Sequence, residues 1–177
     1  MQQLRSISSK FSSPLFILTL LCCGLFFLPA FAQKPNITHT TLENGLQVII
    51  IEDPKTPAVS HNLLFRLGAA DDPRGKSGLA HYLEHMLFQG TETTEANEFS
   101  RKIASHGGQS NAFTSADYTG YWVNIATDKL PLVMELEADR LQHLAPNEIE
   151  FDKEKQVILE ERRSRVDNNP AALFNEQ

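Results

Sequence analysis

The sequence predicts an α+β fold, and three observations carry that expectation. Strand-like and helix-like segments are mixed without the regular alternation of a doubly wound sheet. Asn44-Gly45 sits between two strand-like pieces in "HTTLENGLQVIIIED", a dipeptide that favours a tight hairpin turn. The composition, 41% hydrophobic and 21% charged, is that of a chain able to build an ordinary core.

The first 32 residues stand apart. Arg5 and Lys10 precede the apolar run "PLFILTLLCCGLFFLPAFA", which ends in Ala30-Phe31-Ala32. A basic start, an apolar middle and a small-x-small end make a secretory signal peptide, with the cut placed after Ala32. An uncleaved membrane anchor is the alternative, since the run approaches the length of a bilayer span. After the hairpin, "AVSHNLLFRLGAA" reads as a further strand, and "DDPRGKSG" as a loop from its Pro, Gly and charges. "GLAHYLEHMLFQG" is a helix stopping near Gly90. "TEANEFSRKIASHGG" is a second, opening at Thr94 or Asn97 and closed by Gly107-Gly108. "QSNAFTS" and "YTGYWVNIA" form a strand pair about a turn at Ala116-Asp117. A third helix opens at Asp128 with Pro131 in its first turn, and a fourth runs from about Pro146 to Asp167.

Cleavage after Ala32 leaves 145 residues, designated 33–177, and removes both cysteines, so the exported product has no disulfide and no thiolate ligand. A metal must then be held by His, Asp or Glu. Arg5 and Lys10 also leave, so 14 basic residues face 22 acidic ones, a net charge of −8 with His neutral. Nucleic-acid binding wants a basic face and is excluded as a partner class.

On a helical wheel of about 100° per residue, Leu79, Tyr82, Leu83, Met86 and Leu87 fall on one arc, read as the core face. His81, Glu84 and His85 cluster on the opposite arc. The two histidines are one turn apart, so their rings can converge on one point in front of the helix. A zinc ion there would lie about 2.0–2.1 Å from each imidazole nitrogen, with Glu84 near enough to take a proton from a water at the metal. The plainer alternative is a solvated polar face. A third ligand would come from the fourth helix. Glu154 and Glu161, seven apart, share a face flanked by Val157 and Ile158, whereas Glu160 is turned about 100° away. Either Glu154 or Glu161 suits the role better than Glu160.

His81-Tyr82-Leu83-Glu84-His85 is the inverted zinc motif H-x-x-E-H. Its surroundings, "SGLAHYLEHMLFQGT", resemble the motif region of the pitrilysin/insulinase family of zinc metallopeptidases. The likeness, nearest to the processing-peptidase branch, extends through "LENGLQVIIIED", "NAFTSADYTGYW" and "EKQVILEERRSRVDNNP". The resemblance implies a mostly antiparallel sheet with helices packed on one side, as in the N-terminal half of a two-half clam shell. It implies one Zn²⁺ per chain on His81, His85 and Glu161, with Glu160 an outside possibility. It makes Glu84 the general base and Glu154 a supporting residue behind the ligands. Asn111 and Ala112 on "SNAFTS" are implied as a peptide-binding edge, where an extended substrate adds a strand through backbone groups.

Members of that family have two halves, each longer than this chain. The expectation is therefore an N-terminal metal-binding peptidase domain over residues 33–177, incomplete at its C-terminal end. It would need a partner subunit or second half to close the chamber around a peptide substrate. The family's non-catalytic assembly subunits have eroded motifs, whereas His81, Glu84, His85 and Glu161 are all present here; an inactive fragment is the remaining alternative. Export suggests the bacterial periplasm, or else the extracellular space.

Overall fold

The computed structural model describes residues 34–176, and the predicted signal peptide lies outside the described residues. Two units, 1–53 and 54–177, divide the chain. In the first, β1 (Asn36–Thr41) pairs antiparallel with β2 (Gln47–Glu52). The turn between them is closed by Leu42 N–H to Leu46 O, and the Asn44 side chain accepts from Leu46 N–H at 3.1 Å. Gly45 takes φ 86°, the left-handed conformation that the Asn-Gly pair supplies without strain.

The second unit is built on a three-stranded antiparallel sheet ordered β3-β5-β4, from β3 (Ala58–Phe65), β4 (Gln109–Thr114) and β5 (Thr119–Ala126). Tyr121, Val123 and Ile125 alternate on one face of β5 and are buried, while Asn124 and Ala126 on the other are exposed. Helices cover the first face: α1 (Leu79–Met86), α2 (Glu98–Ser105) and α3 (Leu130–Gln142) all pack on the sheet. Phe99 and Ile103 from α2 and Val133 and Leu136 from α3 meet Val123 and Ile125 in the core. Beyond α3 lie α4 (Glu148–Arg162), a π-helical turn at Arg163–Asp167, and α5 (Pro170–Glu176), an element the sequence reading did not anticipate. The one-sided antiparallel α+β arrangement is the expected one. Among the described residues no helix is long and apolar enough to cross a membrane.

Local chemistry sets the boundaries. Asn97 holds φ 61° ahead of α2, a conformation asparagine tolerates better than most residues, so α2 opens there and not at Thr94. After α2, Gly108 packs so closely on Ile103 and Ile125 that a Cβ would meet both within 3 Å. The Asn147 side chain caps α4 by accepting from Glu150 N–H at 3.0 Å, and Glu150 returns the bond at 2.9 Å. Loop 90–94 is tied to α3: Thr91 and Thr93 hydroxyls donate to Asp139 at 2.8 and 3.1 Å, and His143 lies 3.0 Å from the same carboxylate. Burial acts to raise the Asp139 pKa, but the bonds from Thr91, His143 and Thr93 outweigh it and hold the group below its ordinary value.

The centre of the unit holds a charge. Arg140 is 2% exposed and forms two bonds to Glu137, at 2.7 and 2.8 Å. Its guanidinium carbon lies 4.1 Å from the Phe99 ring centroid, 4.6 Å from Tyr121 and 5.5 Å from Phe88. Burial pushes the Tyr121 phenol well above its ordinary range, opposing the pull of the nearby Arg140 cation.

Candidate metal centre

Helix α1 begins where Asp72 reaches back: its carboxylate accepts from Gly78 N–H at 2.7 Å and Ala80 N–H at 2.8 Å. A carboxylate over the first turn satisfies amides left open there and complements the helix dipole. The helix then runs between the sheet and α4. Two of its faces are therefore covered, which corrects the wheel reading. Leu79 and Leu83, assigned to the core, are 46% and 48% exposed, whereas Glu84, placed on the polar arc, is 8% exposed. Met86 and Leu87 are buried as expected, and the α-helical run stops at Met86, short of Gly90.

His81 and His85 do converge. Their Nε2 atoms lie 3.1 Å apart, with the rings edge to face at 4.6 Å between centroids. Two imidazoles sharing a tetrahedral zinc at about 2.0–2.1 Å would have their nitrogens about 3.3 Å apart, close to this separation. Glu161 supplies the third side: Oε2 is 3.8 Å from His81 Nε2, and Oε1 is 4.0 Å from His85 Nε2. These three residues are the His/Cys/Asp/Glu group able to hold an ion among the described residues. Glu161 Oε2 is buried without a hydrogen-bond partner, although the Arg165 guanidinium approaches it at 3.1 Å. A buried oxygen in that condition is costly, and a cation between it and the imidazoles relieves the cost. The donor set, two imidazoles and one carboxylate, fits zinc.

The surrounding residues divide the remaining work. Glu154 Oε1 lies 2.7 Å from His85 Nδ1. A carboxylate only accepts, so neutral His85 carries its proton on Nδ1 and its lone pair on Nε2, facing His81 and Glu161. Gln89 Nε2 donates to the other Glu154 oxygen at 2.9 Å. The Thr114 hydroxyl donates to Glu84 Oε2 at 2.6 Å. Glu160 points elsewhere, being exposed and bonded to Arg163 at 3.0 Å. On α4 the half-buried positions are Glu150, Glu154, Ile158 and Glu161, spaced i, i+4, i+8, i+11 along one face.

These groups line one cleft of about 460 Å³, together with Ser110 to Thr114 of β4. In the sheet order β4 is an edge. Ser115 N–H bonds back to Tyr118 O at the turn. By antiparallel alternation, Asn111 and Phe113 then pair with β5, and Ala112 turns its backbone to the free edge. Ala112 N–H accordingly bonds the Asn111 side chain at 2.9 Å, not the sheet. The sequence reading had not found Thr114, Gln89 or Arg165. Gln89 and Arg165 each stand four residues beyond a predicted ligand, a helical spacing that would have found them; Thr114 needs the sheet register.

A one-sided antiparallel sheet whose helices present His, His and Glu beside an edge strand defines a metallopeptidase-type domain. The chain belongs to the insulinase family (peptidase family M16), whose model matches residues 47–177. It is 39% identical over 141 residues to the zinc protease PqqE of Helicobacter pylori, covering 79% of this chain and 32% of that one. Over 143 residues it is 34% identical to human insulin-degrading enzyme, covering 80% of this chain and 14% of that enzyme. The crystal structure of a protease from Helicobacter pylori superposes with a TM-score of 0.76 at 39% identity, covering 80% of this chain and 34% of that one. The chain thus spans about a third of the length of these bacterial relatives.

Proposed function

We propose that this chain carries the metal site of an exported zinc metalloendopeptidase. His81, His85 and Glu161 hold one Zn²⁺, which when bound acidifies water and polarises a peptide carbonyl. Glu84 is the general base: with Oε2 fixed by Thr114, the other oxygen accepts a proton from the attacking water and returns it to the leaving amine. Glu154 sets the tautomer of His85. The substrate is a peptide or unfolded segment added to the free edge of β4, with Ala112 supplying backbone bonds once the Asn111 side chain moves aside. A second half, on further sequence or on a partner subunit, closes the chamber. The N-terminal segment directs export to the bacterial periplasm, the extracellular space being the alternative.

The observation that carries this reading is the 3.1 Å separation of the two Nε2 atoms, with the Glu161 carboxylate facing them at 3.8 and 4.0 Å. The test is metal content of the full 177-residue chain by elemental analysis, for wild type, His85→Ala, Glu161→Ala and Glu160→Ala. One zinc per chain in wild type and Glu160→Ala, lost in the other two, is the expected result. A folded wild type without zinc, or loss in Glu160→Ala with retention in Glu161→Ala, would overturn the ligand assignment.

A further inference from the structure

Gln89 lies in the turn that follows α1, where its backbone N–H donates to Met86 O at 2.9 Å. It is half-buried, lines the cleft, and is not one of the three ligands. Its side-chain amide has one chemically sensible orientation, because the facing atom is a carboxylate oxygen and only the NH₂ end donates. The result is a relay: Gln89 Nε2 to Glu154 Oε2 at 2.9 Å, then Glu154 Oε1 to His85 Nδ1 at 2.7 Å.

A carboxylate held at one oxygen can rotate about its terminal torsion, which is broad and soft. Held at both oxygens, its plane is fixed. That constraint matters for Glu154 because it stands on α4, a helix with no buried residue of its own. Backbone packing therefore does little to hold this side chain in place. We propose that Gln89 is a positioning residue of the metal site, fixing the Glu154 carboxylate so that His85 keeps its proton on Nδ1 and its lone pair on Nε2. The inference rests on the proposed role of His85 as a ligand. It adds a residue that reaches the metal only through two others, and it gives Gln89 a function that leucine of similar size cannot perform.

The test pairs two variants of the full chain with two readouts. Gln89→Leu removes the donor while keeping the bulk, and Gln89→Lys restores a donor of similar reach. Long-range ¹H–¹⁵N spectra of the imidazoles in the metal-free chain, at mildly alkaline pH, report the His85 tautomer. Zinc affinity is read by competition against a chromophoric chelator. Wild type should show the Nδ1–H form. Gln89→Leu should show a mixture of tautomers and bind zinc about tenfold more weakly, the lower end of the effect of removing partners behind a ligand. Gln89→Lys should recover both.

Unchanged tautomer and affinity in Gln89→Leu would overturn the inference. So would equal losses in Gln89→Leu and Gln89→Lys, which would mark Gln89 as a packing residue. The tautomer is read without metal, so a wild type in the Nδ1–H form that takes up no zinc refutes the ligand reading while the positioning role is still judged by the variant spectra.

Discussion

Replacing Arg140 with alanine should destabilise the second unit by about 3–5 kcal/mol, the range for removing one partner of a buried ion pair. The structure supports the full range. Arg140 and Glu137 side chains are 3% and 7% exposed and joined by two short bonds, so the truncation strands a carboxylate away from water. The His61 ring also approaches Glu137, its Nε2 3.8 Å from Oε1 and buried without a hydrogen-bond partner. The guanidinium also fills the space between Phe88, Phe99 and Tyr121, and each such ring contact contributes about 0.5–2 kcal/mol. Urea unfolding followed by tryptophan fluorescence provides the assay, since Trp122 is the single tryptophan and lies on β5. With a slope of about 1–3 kcal/mol per molar, the midpoint should move by 1 M or more. The double variant Glu137→Leu/Arg140→Met should lie close to wild type, because no charge is then left unpaired. A loss below about 1 kcal/mol in Arg140→Ala, the scale of an exposed pair, would refute the reasoning. So would a double variant as unstable as the single one.

Asp139→Asn should cost about 1 kcal/mol at neutral pH, since the Thr91, Thr93 and His143 contacts favour the charged carboxylate. Because the folded pKa is lowered, that stability is fully present above the unfolded value of about 3.9, and the gap to wild type should close as pH falls through the lower folded value. Parallel acid titrations of the two chains check the sign; a gap that widens toward low pH would contradict it. Saturating zinc should raise the thermal midpoint by an amount that grows with free zinc, as binding to the folded state alone requires, and His85→Ala should abolish the increase. Differential scanning calorimetry at several zinc concentrations measures it, and an unchanged wild-type midpoint would contradict it.

Much of this architecture is legible from local chemistry. Asn44-Gly45 marks its hairpin because only a few dipeptides enter the left-handed region cheaply, and Gly45 does so here. His81 and His85, and likewise Glu154 and Glu161, are found by helical spacing, since residues on one helix face must share an environment whatever the neighbouring element is. The wheel groups Glu84 with the two histidines on the cleft, as the structure does, but it misses the burial of Glu84 and the exposure of Leu79 and Leu83. Periodicity says which residues share a face but not how many faces are covered, and α1 is covered on two. The Thr114–Glu84 bond joins residues 30 apart and depends on the register of β4 with β5. Arg140 was invisible because a helix carrying "EADRLQ" reads as solvated, and only the tertiary fold places three rings around that guanidinium.

The same distinction explains what attaches α4. A helix in a small domain is ordinarily held by an apolar stripe, yet no residue of α4 is buried, and Ile149, Phe151, Val157 and Leu159 are all exposed. Its contacts with α1 are of another kind. The Tyr82 hydroxyl donates to Phe151 O at 2.6 Å with the two rings 6.0 Å apart, and Glu154 takes bonds from His85 and Gln89. Two turns further, Glu161 faces both imidazoles. Every polar contact named here except that of Tyr82 belongs to the proposed metal site or its supports. Net hydrogen bonds of this sort contribute only about 0.5–1.5 kcal/mol each, so they position α4 without fastening it strongly. A cation shared by α1 and α4 would supply the missing attachment, because it joins ligands from both helices at once. On this reasoning the site that performs the proposed chemistry is also the clamp between its two helices. Zinc-dependent stability and zinc-dependent hydrolysis would then rise and fall together in His81, His85 and Glu161 variants, whereas Glu84→Gln should lose hydrolysis and keep the clamp.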